Sequence, residues 1–159
     1  MSEELSWDKE KGELRILGSR QTAITAQKLC DYLDSLVGLQ VAEVIMNNLE
    51  FRLGKEEAAA FRQRQTSLSD VIDLLTKYDS LTGVGVTKVS LPENEQEPIT
   101  LEISNPSVKG TSGAARAFLF SWWCGALTTL LGRDLEARDV TYSEERDVMK
   151  CRIVPRSAK

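Results

Sequence analysis

Histidine is absent from the 159-residue sequence. That removes His-based triads, imidazole general bases and imidazole metal ligands. Cysteine is scarce. Cys30, Cys124 and Cys151 are far apart, form no CxxC pair and are odd in number. They fit reduced thiols of a cytoplasmic protein better than a disulfide framework. As metal ligands they would need a carboxylate brought to them by the fold, so each reads first as a small buried hydrophobe. Positive charge is in deficit, with 20 Lys and Arg against 24 Asp and Glu and a net charge of −4. No basic cluster is visible, and nucleic-acid binding is not expected. The N-terminal MSEELSWDKEKGE has no apolar signal core. There is no GxSxG elbow, and Gly83-Val84-Gly85 lacks both the third glycine and the following helix of a dinucleotide loop. Glu43, Glu50, Glu56, Glu57, Asp70, Asp73, Glu136 and Asp139 fall almost all on predicted polar faces, where solvated surface acids are expected. No catalytic residue, metal site or cofactor is implied.

What is present is an ordinary globular balance: 42% hydrophobic and 28% charged residues, enough for one sizeable core. Residues 1–12 read as a polar N-terminal tail, 13–155 as a single domain and 156–159 as a C-terminal tail. Gly12–Leu17 alternates weakly, as a short strand does. Thr22 is placed to cap a helix running to Val37. Leu29, Cys30, Leu33, Leu36 and Val37 form its apolar stripe, and Gly38 is its left-handed stop. Val41, Ile45, Leu49 and Leu53 predict a second helix ended by Gly54, and EEAAAFRQRQ a separate surface helix. Ser67 with Asp70 gives a capping signal for a helix faced by Val71, Ile72, Leu75 and Tyr78 and closed by Gly83.

The period then changes. Val84 and Val86, then Val89 and Leu91 after a phase shift, predict a strand with a bulge near Thr87 and Lys88. Ile99, Leu101 and Ile103 predict the next strand, Leu135–Tyr142 another, and Met149, Cys151 and Ile153 the last. Short links between consecutive strands imply antiparallel hairpins. The expected class is α+β, an antiparallel sheet of about four to five strands packed against a helical layer.

Between those strand pairs lies FLFSWWCGALTTLLGRDLE, the most apolar stretch of the chain. Its apolar run, bounded by Arg116 and Arg133, falls short of the ~20 residues of a membrane span. It reads as a helix from Ala114 to Leu131, apolar nearly all round and therefore buried on most sides. Core and subunit interface are the plain reading of its aromatics. The sharper one is that Phe118, Trp122, Trp123 and Leu127 line a pocket for a small apolar ligand.

This stretch, followed by a strand, a turn and MKCRIV, resembles the C-terminal half of the 4-vinyl-reductase-type, hydrocarbon-binding domain family. The mid-helix glycine matches Gly125, the helix end matches Leu131-Gly132-Arg133, the strand acid matches Glu136, and the hairpin matches Asp147 and Cys151. The family often has a cysteine near the start of the helix, where this chain has Arg116. Tyr142 and Arg146 replace the first hairpin cysteine and the glycine. Metal or thiol functions tied to those cysteines are therefore not carried over. The family is similar in fold to TRAPP vesicle-tethering subunits. The resemblance implies a TRAPP-subunit-like fold, non-enzymatic binding of a hydrocarbon or acyl-like ligand, and a homodimer. It also leaves two alternatives: a protein-interaction scaffold with a vestigial cavity, or an accessory protein in tetrapyrrole metabolism.

Overall fold

The computed structural model describes residues 5–8, 13–16, 19–21, 26–63, 67–94 and 97–157. The chain is α+β. A small antiparallel sheet comes first: β1 (Leu5–Asp8), β2 (Glu13–Ile16) and β3 (Ser19–Gln21). Helices α1 (Ala26–Val37), α2 (Leu39–Arg62) and α3 (Leu68–Thr82) follow. Then come β4 (Val86–Ser90), β5 (Ile99–Ser104), α4 (Gly113–Leu131), β6 (Leu135–Ser143) and β7 (Val148–Pro155). The second sheet has the order β4-β5-β7-β6, all neighbours antiparallel. The stretch expected to be an N-terminal tail thus contains β1, paired with β2. Thr22, the expected cap of the first helix, lies outside the described residues.

The large sheet forms as its alternation requires. Ile99, Leu101 and Ile103 on β5 and Met149, Cys151 and Ile153 on β7 all face the core. α4 is buried nearly all round. By length and composition it could cross a membrane, yet most of it is enclosed by the rest of the chain, which is the situation of a core helix. Gly132 ends it in the left-handed conformation, at φ 68° and ψ 25°. Gly83 does the same for α3, whose N-cap Ser67 accepts a hydrogen bond from the Asp70 amide at 3.1 Å.

Four expectations are corrected. Gly54 does not end a helix: α2 runs unbroken through it, and EEAAAFRQRQ continues the same helix as far as Arg62. A β-carbon at Gly54 would stand 2.0 Å from the Trp122 carbonyl oxygen, and one at Gly125 would stand 2.0 Å from that of Phe51. These glycines let the α2 and α4 backbones touch. Second, the stripe Val41, Ile45, Leu49 and Leu53 faces outward, and Leu29, Leu36 and Val37 of α1 are exposed with it. The buried face of α2 is instead Ala42, Met46, Gly54, Ala58 and Phe61, with glycine at the point of closest approach to α4 and the larger Met46 and Phe61 to either side of it. Third, β4 pairs with β5 without a bulge. Thr87, where the bulge was expected, simply points inward and is buried, and the register irregularity falls in β6, between Arg138 and Thr141. Fourth, Gly38 has φ 83° but ψ 155°, an extended link between α1 and α2 and not a left-handed cap.

The start of α4 is secured from another helix. Its positional cap, Ser112, makes no side-chain bond, and Asp34 of α1 accepts the Ala114 amide at 2.9 Å. Asp34→Ala is accordingly expected to cost about 1 kcal/mol in urea denaturation, as loss of an N-cap does, with Ser112→Ala near zero.

Candidate functional site

A cavity of about 410 Å³ opens between α2, α4 and the start of β6. Gln40, Glu43, Val44, Asn47 and Phe51 reach it from α2, one helical face at i, i+3, i+4, i+7 and i+11. Arg116, Phe120, Ser121 and Cys124 reach it from α4, and Leu135, Glu136, Ala137 and Arg156 complete it. The floor is apolar: Phe120, Cys124 and Leu135 are buried. The mouth is exposed at Gln40, Val44 and Arg156.

Polar pairs hold the walls. The Arg116 guanidinium ion-pairs with Glu43 and also donates to the Ala137 carbonyl at 2.8 Å. One side chain so ties α4 to α2 and to β6. Ser121 donates to Asn47 Oδ1 at 2.7 Å. The Arg156 guanidinium stands 5.6 Å from the Phe51 ring centre, a cation–π distance. Glu136 accepts from Arg138 Nε at 2.8 Å and has Arg156 Nε at 3.9 Å. Burial pushes the Cys124 thiol up to about 12, against the lowering effect of Arg116 and Arg156. It is a neutral wall group at physiological pH and not a nucleophile. Burial also pushes Cys30 up to about 11 and raises Cys151. Among the described residues, no cluster of three or more Cys, Asp or Glu side chains is placed to hold a metal ion.

The four residues expected to contact ligand are on the same helix but do not line this cavity. Trp123 and Leu127 are wholly buried, Trp122 is buried and Phe118 is half-buried. Trp122 donates its indole N–H to Glu57 Oε2 at 2.7 Å and stacks on Tyr78, with ring centres 6.2 Å apart. Trp123 donates to Asp79 Oδ2 at 2.6 Å, and Thr87 donates to the same oxygen at 2.7 Å. The tryptophans thus fasten α4 to α2 through half-buried Glu57 and to α3 through buried Asp79. Burial pushes Asp79 up to about 6 and raises Glu57, while burial and then the Glu57 charge push Glu50 up to about 7. Glu43, Glu50 and Glu57, expected among the solvated acids, are half-buried. One signal could have found the carboxylates: two adjacent buried indoles each need an acceptor.

The cavity residues went unnoticed for a different reason. They alternate in chemistry along a helical face, so no apolar stripe marks them. Arg156 falls in the stretch expected to be a C-terminal tail.

No family model and no curated protein matches the sequence. The fold is shared with a sensory domain. Superposition on the crystal structure of the phenol-responsive sensory domain of the transcription activator PoxR, with phenol, gives a TM-score of 0.73 at 13% identity. The match covers 96% of this chain and 85% of that one.

Proposed function

We propose that this chain is a non-enzymatic small-molecule-binding domain whose site is the α2–α4–β6 cavity, working as a cytoplasmic homodimer. The observation that carries the reading is the cavity itself. Its ~410 Å³ lies within the range of small-molecule sites, and it combines an apolar floor with a few convergent polar groups. The likeness in fold to a phenol-responsive sensory domain supports small-molecule sensing as the role. The size fits a compact ligand better than a long acyl chain. Its body would lie on Phe51, Phe120 and Leu135, and its polar group would face Ser121, Asn47 and Arg156. Phe118, Trp122, Trp123 and Leu127 are assigned to the rigid layer behind the floor.

Isothermal titration calorimetry with phenol, benzoate, 2-naphthoate and octanoate tests this. At least one compound is expected to bind with one-to-one stoichiometry. For an anionic binder, Arg156→Ala should weaken the affinity about tenfold, the loss of one charge-assisted contact. Phe118→Ala should leave it within about twofold. Loss of binding in Phe118→Ala with Arg156→Ala unaffected would move the ligand to the tryptophan side of α4. A protein-interaction scaffold is the second reading, favoured by the exposed apolar face of α1 and α2.

A further inference from the structure

The charged groups of the cavity are not spent alike. Arg116 is committed to the wall, with Glu43 and the Ala137 carbonyl as its partners. Glu136 is held from outside. Arg138, two residues on and so on the same face of β6, does not line the cavity. It sets both its Nε, at 2.8 Å, and its Nη2 on Glu136 Oε1. The other oxygen, Oε2, is 3.9 Å from Arg156 Nε, beyond hydrogen-bond reach. Among the described residues, no closer acceptor meets the Arg156 guanidinium, and its side chain is exposed at the mouth.

The wall beside it is aromatic and positive. Arg156 and Lys55 stand 5.6 Å and 6.0 Å from the centre of the Phe51 ring. Asn47 lies one helical turn before Phe51. It accepts from Ser121 through Oδ1, which leaves its amide protons free to donate. Arg156 and Asn47 together offer charged and neutral donors next to an apolar floor.

We propose that the cavity selects a compact aromatic monocarboxylate, and that Arg138 sets this selectivity by holding Glu136 off Arg156. The selectivity rests on the cavity being the binding site. The ligand's ring would lie against Phe51 and Phe120, and its carboxylate would take the Arg156 fork, a strong and directional pairing. One guanidinium with donors to spare suits one negative charge. A doubly charged phosphate would bring a second charge without a partner into a half-enclosed site. A neutral phenol would leave the Arg156 fork unused. Arg138 is a positioning residue. Without it, Glu136 is free to move onto Arg156, and the protein's own carboxylate then competes with that of the ligand for one guanidinium.

Calorimetry on the full chain with 2-naphthoate and the neutral 2-naphthamide tests this. The wild type should prefer the carboxylate by about tenfold, the worth of one charge-assisted contact. Arg138→Ala should weaken 2-naphthoate about fivefold and leave 2-naphthamide within about twofold, and Arg138→Lys should recover part of the loss. Glu136→Gln should tighten 2-naphthoate. Adding Arg138→Ala to Glu136→Gln should then change nothing, since no charge is left to hold. A full loss on Arg138→Ala in the Glu136→Gln background overturns the positioning role. Binding of 2-naphthamide as tightly as 2-naphthoate, or of phenol alone, overturns the charge selectivity and leaves the cavity as a binding site. Binding of no compound, phenol and octanoate included, overturns both.

Discussion

Gly125→Ala is expected to cost about 3–4 kcal/mol, at the upper end for an added methyl group in a packed interior. The new β-carbon would meet the Phe51 carbonyl oxygen at 2.0 Å, its carbon at 2.8 Å and the Phe51 α-carbon at 3.1 Å. All three are backbone atoms of a helix, so no rotamer change relieves the contact, and α2 and α4 must separate. Gly54→Ala should behave alike, since its β-carbon would meet the Trp122 carbonyl oxygen at 2.0 Å and carbon at 2.8 Å. The double variant should cost less than the sum, because helices already forced apart accommodate the second methyl group. Gly132→Ala is the control. It has φ 68° and no atom within 4 Å of its would-be β-carbon, so only the left-handed conformation is penalised, by about 1 kcal/mol. Urea denaturation of the four variants separates the two effects. Costs for Gly125→Ala and Gly54→Ala no larger than for Gly132→Ala would show that the helices are not in backbone contact.

That contact explains which parts of the fold were legible. The strands β5 and β7 could be read because one face of each meets the core, and Ile99, Leu101, Ile103 and Met149, Cys151, Ile153 alternate accordingly. α4 could be read because burial on all sides leaves no polar face to interrupt the apolar run. α1 and α2 misled because periodicity reports an apolar face without saying what covers it. On α2 the regular i, i+4 stripe Val41, Ile45, Leu49 and Leu53 points away from the core, while the inward face mixes Ala42, Gly54 and Ala58 with Met46 and Phe61, so periodicity marks the exposed face and Gly54 reads as a stop. Thr87 was read as a phase slip because its inward position is explained only by Asp79, eight residues earlier and on another element. The cavity depends on side chains from α2, α4 and β6 meeting, as Arg116 does with Glu43 and Ala137. The resemblance marked Arg116 only as a departure from a cysteine, whereas the fold makes it the bracket of the cavity wall.

Asp79→Ala is expected to cost about 3 kcal/mol and to change how stability depends on pH. Asp79 is 4% exposed and accepts from both the Trp123 indole and the Thr87 hydroxyl. Removing it leaves two buried donors without partners, at ~1–3 kcal/mol for each. The pH argument concerns the carboxyl itself. Burial, the largest cause, raises its pKa from 3.8 to about 6, against the lowering effect of the Thr87 and Trp123 hydrogen bonds, and Glu57 raises it further. A carboxyl with a raised folded-state pKa binds its proton more tightly in the folded than in the unfolded chain. Its contribution is therefore fully present below 3.8 and lost as pH rises through about 6. Glu57, raised chiefly by burial, and Glu50, raised to about 7, act in the same sense. Half-buried Glu102 and Asp147 act in the opposite sense, since hydrogen bonds from Lys150 and from Lys109 lower them, and their contributions disappear in acid. Stability should therefore peak near pH 5 and fall toward pH 8, with Asp79 responsible for on the order of 2 kcal/mol of the decline. Asp79→Asn keeps an acceptor for Trp123 and Thr87 but has no proton to lose. Its urea midpoint should fall less between pH 5 and 8 than that of the wild type. An undiminished decline in Asp79→Asn would assign the pH dependence to Glu50 and Glu57, and equal stability of Asp79→Ala and wild type at pH 7 would remove Asp79 as the anchor of Trp123.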